Sequence, residues 1–258
     1  KDFGYNIINP AIEIFDKSHQ AKGSFNNGEI LENKPIGFPQ DGGFIKPYSN
    51  LFYWAHAWTS EKKSTIGLHP HKGFEICSFV LKGSINHFDT NQNQWIPLKQ
   101  GDVQVIRSGS GISHSEELEK NSEIFQIWFD PNLSNSLNEN ATYDDYKKES
   151  FKISKSTNSK VKRILGEGSP MELKSEGISI NEYEFEPGNN QIHIKNNFIH
   201  SFYLVSGNIE TNQVIFQESF IKVYDTNTFD FSNHEKVKIF EIISPMEPTY
   251  KTYAELNY

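Results

Sequence analysis

The densest chemistry in the chain lies in Gly67-Leu68-His69-Pro70-His71-Lys72-Gly73-Phe74-Glu75. Side chains at i and i+2 of a strand share a face, so an extended backbone here aims both imidazoles at one point. Neutral imidazole offers a nitrogen lone pair, and two held side by side suit one transition-metal cation. A second pair follows in Gly109-Ser110-Gly111-Ile112-Ser113-His114-Ser115-Glu116, where His114 and Glu116 again stand two residues apart. The glycines before them suit a tight turn into a strand. On neighbouring strands, the two pairs would converge as three nitrogens and one carboxylate oxygen. An octahedral ion held that way keeps positions open for substrate, water or dioxygen. Strand parity from His69 and His71 also sends Glu75 inward, so two carboxylates compete for one place. A bulge at Gly73 would turn Glu75 away.

The elements that must position these residues read as strands. Short alternating or apolar runs recur at Gly73–Val80, Ser84–Phe88, Val103–Arg107, Ile124–Phe129, Ile178–Phe185, Ser201–Val205, Val214–Tyr224 and Val237–Ile243. Turn residues separate them, at Lys82-Gly83, Gln100-Gly101-Asp102, Ser108–Gly111 and Ser206-Gly207-Asn208. Short strands at this spacing predict an all-β sandwich or barrel. From Asn132 the chain turns Asn/Ser-rich and then charged, which predicts a connector carrying one short helix near Tyr143–Glu149. A weak repeat supports two similar halves: Phe79-Val80-Leu81-Lys82-Gly83-Ser84-Ile85 resembles Tyr203-Leu204-Val205-Ser206-Gly207-Asn208-Ile209. With Gly83 aligned on Gly207, His69 falls on His193, His71 on Lys195 and Glu75 on Ile199, so the second half lacks the ligand pattern. The expected domains are 1–135, a connector at 136–160, and 161–258.

Composition bounds the function. The chain has 258 residues and only 36% hydrophobic residues, but 20 Phe and 11 Tyr compensate because each ring buries a large apolar area. A net charge of −8 with no long basic run argues against direct nucleic-acid binding. A single cysteine, Cys77, excludes an intramolecular disulfide and fits a reducing compartment; in its strand-like run it reads as a small buried hydrophobe. No stretch reaches the ~18 apolar residues of a membrane span. With no basic-then-apolar leader pattern at the N-terminus, cytoplasmic is the expected location.

The motif set His69-Pro70-His71-Lys72-Gly73-Phe74-Glu75, Gly101-Asp102-Val103-Gln104 and Gly109 to Glu116 resembles the pirin family of the cupin superfamily. The match is dense from Gly67 to Phe129, including Gln126-Ile127-Trp128, and looser elsewhere. The resemblance implies an all-β bicupin, two cupin-type β-barrels in one chain. The N-terminal barrel would hold the metal through His69, His71, His114 and Glu116; the C-terminal barrel would be degenerate. It prefers Glu116 over Glu75 as the carboxylate ligand. Lys72, where many pirins have Arg, and Arg107-Ser108 depart from the pattern outside the ligand set. The implied cofactor is one divalent transition metal, Fe(II) first, with Mn, Co, Ni, Cu or Zn also matching such donors. The implied activity is that of a quercetin 2,3-dioxygenase, with a flavonol or related enol and dioxygen as substrates and Glu116 as proton acceptor. The alternative is a non-enzymatic iron-binding redox sensor that acts through a protein partner.

Other residues read more plainly. The run Phe52-Tyr53-Trp54-Ala55-His56-Ala57-Trp58 reads as core rather than cavity wall, and His56 has no partner at ligand spacing. His87 reads as a non-ligand. His19, His200 and His234 have no supporting neighbours in sequence. Asp102 reads as a turn residue.

Overall fold

Apolar residues alternate, or run unbroken, over short stretches between turns, and the protein folds accordingly into strands. The computed structural model describes residues 6–9 and 11–258. Its two compact units are each an antiparallel β-sandwich. One comprises Ala21–Glu149, Leu173–Ser175 and Thr249–Tyr258; the other comprises the described residues up to Gln20, Ser150–Glu172 and Glu176–Pro248. This partition differs from the expected 1–135, 136–160 and 161–258 for reasons of pairing. The early strand Ile12–Phe15 pairs with Phe220–Val223, far along the chain. The expected connector helix is instead an edge strand, Thr142–Tyr146, paired with Val103–Arg107. Ladder hydrogen bonds there outweigh a local pattern of charged residues and scattered rings. The only short α-helix in that region is Leu133–Ser136, capped by the Asn132 side chain.

In the first sandwich a seven-stranded sheet runs in the order Thr142–Tyr146, Val103–Arg107, Glu75–Lys82, Glu123–Phe129, Leu51–Thr59, Ile30–Ile36 and Ala21–Phe25. Facing it is a four-stranded sheet of Ser64–His71, Ile112–Leu118, Ser84–Asp89 and Trp95–Lys99. The expected all-β cupin architecture is present, but as sandwiched sheets rather than continuously closed barrels. Leu51–Thr59 is buried along nearly its whole length, as a central strand should be. Ser84–Asp89 alternates, with Ile85, His87 and Asp89 buried. One floor of the interior is a cluster of Ile30, Ala57, Val80, Ile85, Leu98, Leu118 and Ile124. Gly109, at positive φ, packs so close to the Glu139 carbonyl that a Cβ would collide with it, so the turn into the His114 strand requires glycine.

The second sandwich repeats the plan. Its eight-stranded sheet is centred on Phe198–Ser206 and Val237–Pro245, and a four-stranded sheet of Gly188–His193, Thr228–Asn233, Ile209–Glu210 and Val214–Ile215 covers it. The expected run Val214–Tyr224 is thus two short strands, Val214–Ile215 and Phe220–Val223. Its main core cluster is apolar throughout, with Phe185, Phe202, Phe229 and Phe231 filling the centre. Among the described residues, no helix is long and apolar enough to cross a membrane.

Candidate metal centre

The strand Ser64–His71 pairs antiparallel with Ile112–Leu118, setting His114 opposite His69 and Ile112 opposite His71. Between Ile66 and His69 the register shifts, since Glu116 already faces Ile66. Gly67 and Leu68 therefore stand opposite the single residue Ser115, a bulge. Without it, Ile66 and His69 would point to opposite faces; with it, both line one cavity. On the partner strand, Ile112, His114, Glu116 and Leu118 all point inward by simple alternation.

The consequence is a knot of three imidazoles. The ring centroids of His69 and His71 lie 4.8 Å apart, those of His69 and His114 4.4 Å, and those of His71 and His114 4.6 Å. One ligand nitrogen from each lies within 4.8 Å of the others. His69 Nδ1 sits 2.7 Å from the carbonyl oxygen of Gly67. That oxygen can only accept, so the proton is on Nδ1 and Nε2 presents its lone pair. The bulge that places the ring thus also selects its tautomer. His71 Nε2 and both ring nitrogens of His114 are buried and make no hydrogen bond among the described residues. Burial, reinforced by the neighbouring His114 and His69, pushes His71 down to about 3. Burial, followed by His69 and His87, pushes His114 down to about 3. Both rings are neutral at ordinary pH, in the form that ligates. Buried nitrogens without partners are costly in a protein interior, and a cation at their meeting point would satisfy them. The donor set therefore fits a transition metal.

Glu116 adjoins the knot but lies outside the mutually close set. Its Oε1 is 3.3 Å from His114 Nδ1 and accepts a 2.6 Å hydrogen bond from Gln126 Nε2. Burial raises its carboxyl above the usual range, partly offset by His69 and His87. Trp128 Nε1 donates to Gln126 Oε1 at 3.2 Å, fixing the amide so that its NH₂ faces Glu116. The Trp128 ring also meets His71 edge-on, with centroids 4.9 Å apart. Gln126 and Trp128 belong to a recognised motif, but their positioning role was not apparent from sequence. Their own two-residue spacing, the same as in His69/His71 and His114/Glu116, was the available signal.

Glu75 is elsewhere. The His strand ends at His71, Gly73 turns the chain at φ +83°, and Glu75 opens the next strand in the opposite sheet. Its buried carboxylate accepts from the backbone N–H of Lys174 and Ser175 and from the Ser175 hydroxyl, at 2.8, 2.7 and 2.6 Å. Parity counted along one continuous strand fails there because the strand is not continuous.

His87 is fully buried, with Asp89 Oδ2 at 2.6 Å from Nε2 and the Gln104 amide at 3.1 Å from Nδ1, so neither nitrogen is free for a metal. His56 pairs with Glu123. Asp102 caps its turn, accepting from Lys99 N and Lys148 N. Of the aromatic run expected to be core, Trp54 is core, packed on Phe125, but Tyr53 and Ala57 line the cavity. That cavity, about 390 Å³, opens on His69, His71 and Glu116 and is otherwise walled mainly by apolar residues such as Ile30, Ile66, Leu118, Ile124 and Trp128. Glu32, which nothing in the sequence singled out, also lines it.

Residues 45–129 match the pirin family model. A quercetin 2,3-dioxygenase of Escherichia coli K12 is 39% identical over 69 residues, which cover 25% of this chain and 29% of that protein. The match thus spans less than a third of the curated relative's length. Among solved structures, a quercetin 2,3-dioxygenase from Acinetobacter baumannii superposes with a TM-score of 0.77 at 15% identity, covering 92% of this chain and 79% of that one. A bacterial pirin from Escherichia coli, solved with nickel(II), gives 0.73 at 18% identity over 91% of this chain and 99% of that one. The dense sequence match coincides with the strands that carry the three imidazoles, while the structural likeness extends over nearly the whole chain. The chain thus resembles the pirin family over residues 45–129, within a cupin-type fold.

Proposed function

We propose that the protein is a metal-dependent dioxygenase of the quercetinase type, with His69, His71, His114 and Glu116 holding one divalent transition metal, Fe(II) by preference. The carrying observation is the group of three imidazoles, two of them with buried nitrogens that lack hydrogen-bond partners among the described residues, at the wall of a largely apolar cavity. The relatives named for quercetin dioxygenation and the nickel-bound pirin support the same reading. A bound metal would supply Lewis acidity and a redox partner for dioxygen.

The chain's own residues supply the rest. A volume near 390 Å³ lies in the range of pockets for drug-sized ligands, and apolar walls bury flat rings. The lining contains Glu32 and Glu116 but no Lys or Arg, which favours a neutral enol over a carboxylate substrate. Glu116, held at Oε1 by Gln126, takes the proton of the substrate enol. Its raised proton affinity matches that role. Burial holds His71 and His114 neutral, so these two rings do not compete for that proton.

The test is metal analysis of the purified full chain, then dioxygen uptake with quercetin by Fe(II)-loaded protein and its His114→Ala variant. One metal per chain and uptake lost in the variant support the proposal. Folded protein that retains no metal after Fe(II) loading overturns it. Retained metal without uptake, across several flavonols, moves the site to the redox-sensor reading.

A further inference from the structure

The strand Ile30–Ile36 contributes a carboxylate to the cavity that no ligand set uses. Glu32 pairs with Ala57 across the sheet and, like Ile30 and Ala57, faces the cavity; the residue is 7% exposed. A buried carboxylate has about four lone-pair directions to satisfy. Among the described residues, Glu32 has one long hydrogen bond, from the Tyr53 hydroxyl to Oε2 at 3.5 Å. The Lys34 ammonium is 4.0 Å from Oε1 but closer, at 3.1 Å, to Asp41. The contrast with other buried carboxylates is sharp. Glu75 accepts three hydrogen bonds of 2.6 to 2.8 Å, and Glu241 is met by three groups at 2.8 to 2.9 Å. Glu32 thus lines the cavity while short of hydrogen-bond donors among the described residues.

Its position is built rather than incidental. Gly23 lies opposite Glu32 on the neighbouring strand, and a Cβ there would come within 2.7 Å of Glu32 Oε1 and 2.8 Å of Lys34 Cε. The Lys34 ammonium lies over the stacked rings of Phe38 and Tyr53, 5.9 and 5.8 Å from their centroids. Lys34 thus sits near Glu32 and Asp41 while its charge stays out of the cavity lining.

We infer that Glu32 is a specificity-determining residue of the cavity, accepting hydrogen bonds from ring hydroxyls of the ligand remote from the enol that Glu116 addresses. The inference rests on reading the cavity as a substrate pocket. It narrows the substrate class to neutral rings with hydroxyl donors on two separate parts of the molecule. A ligand bearing only the enol would leave Glu32 without a donor, the kind of loss by which polar sites reject analogues.

The experiment measures affinity, not turnover. The full chain as purified is titrated under argon with quercetin and with 3-hydroxyflavone, which keeps the enol but lacks the other hydroxyls. Quenching of tryptophan fluorescence reads the dissociation constants. Glu32→Leu is expected to lower the quercetin-to-3-hydroxyflavone affinity ratio about tenfold, entirely through quercetin. Glu32→Gln, which keeps the shape and one acceptor oxygen, is expected to fall between Glu32→Leu and wild type. It also serves if the leucine variant does not fold. An unchanged ratio in a folded variant, or equal weakening of both ligands, overturns the assignment while leaving the pocket reading intact. Failure of both ligands to bind the unaltered chain overturns the pocket reading and the assignment together.

Discussion

Two buried histidines, one in each sandwich, show what separates a structural imidazole from a chemical one. His200 has both nitrogens engaged: Nε2 accepts from Lys195 N at 2.9 Å, which leaves Nδ1–H to donate to Glu241 at 2.8 Å. The same carboxylate accepts from Asn181 at 2.9 Å and Tyr183 at 2.8 Å. His114 is equally buried and also neighbours a glutamate, yet neither of its nitrogens makes a hydrogen bond among the described residues. Each site has an amide reaching a buried glutamate, Asn181 to Glu241 and Gln126 to Glu116. The residue types are therefore nearly the same. The difference is whether the histidine's lone pairs already have partners, and only the first sandwich leaves them for a ligand.

The sharpest way to break this comparison is to truncate both histidines. His114→Ala is expected to weaken metal binding by at least about 100-fold with the fold retained. His200→Ala is expected to leave metal content unchanged but to cost about 3 kcal/mol of stability, because Glu241 loses a buried partner. Elemental analysis and denaturant melts of the two variants check this, and loss of metal in His200→Ala would erase the distinction. Gln126→Ala should come next, weakening metal affinity about 10- to 100-fold by releasing Glu116. Competition with a chromophoric chelator measures it.

Acid sharpens the contrast further. In the metal-free protein His71 and His114 are held down to about 3, far below the 6.5 of an unfolded chain. Between those values the unfolded state binds more protons, so their contribution to stability is full above pH 6.5 and declines as the pH falls toward 3. Melting temperature should therefore drop with acidification over that window, and bound metal should resist the drop until protons displace it. A pH series of melts with and without metal tests this; equal profiles would count against the site. The smallest expected effect is Asn181→Ala, about 1 to 2 kcal/mol in a denaturant melt with metal affinity unaltered.

Much of this arrangement was legible in the chain itself. For the runs that alternation marked, most boundaries fall close to those observed, and Val103–Arg107 coincides end to end with its strand; strands such as Ile30–Ile36 carried no such mark. The pairs His69/His71 and His114/Glu116 were legible because two-residue spacing places side chains on one face whatever surrounds them. The edge strand Thr142–Tyr146 was not, because its charged residues acquire a strand conformation only by pairing with Val103–Arg107. Glu32, Gln126 and the Glu241 partner of His200 were hidden for a related reason. Each acquires its role from residues on other strands, across distances at which sequence carries no periodicity.

By itself the sequence determined which residues can ligate, which share a face, and where the backbone must turn. Those properties depend on covalent chirality, side-chain chemistry and neighbours a few positions away. The tertiary structure alone decided the Gly67-Leu68 register shift that brings His69 to His114, the turn that removes Glu75, and the partners that occupy one buried histidine and spare the other. Register and burial are properties of paired strands, so they exist only once distant segments meet.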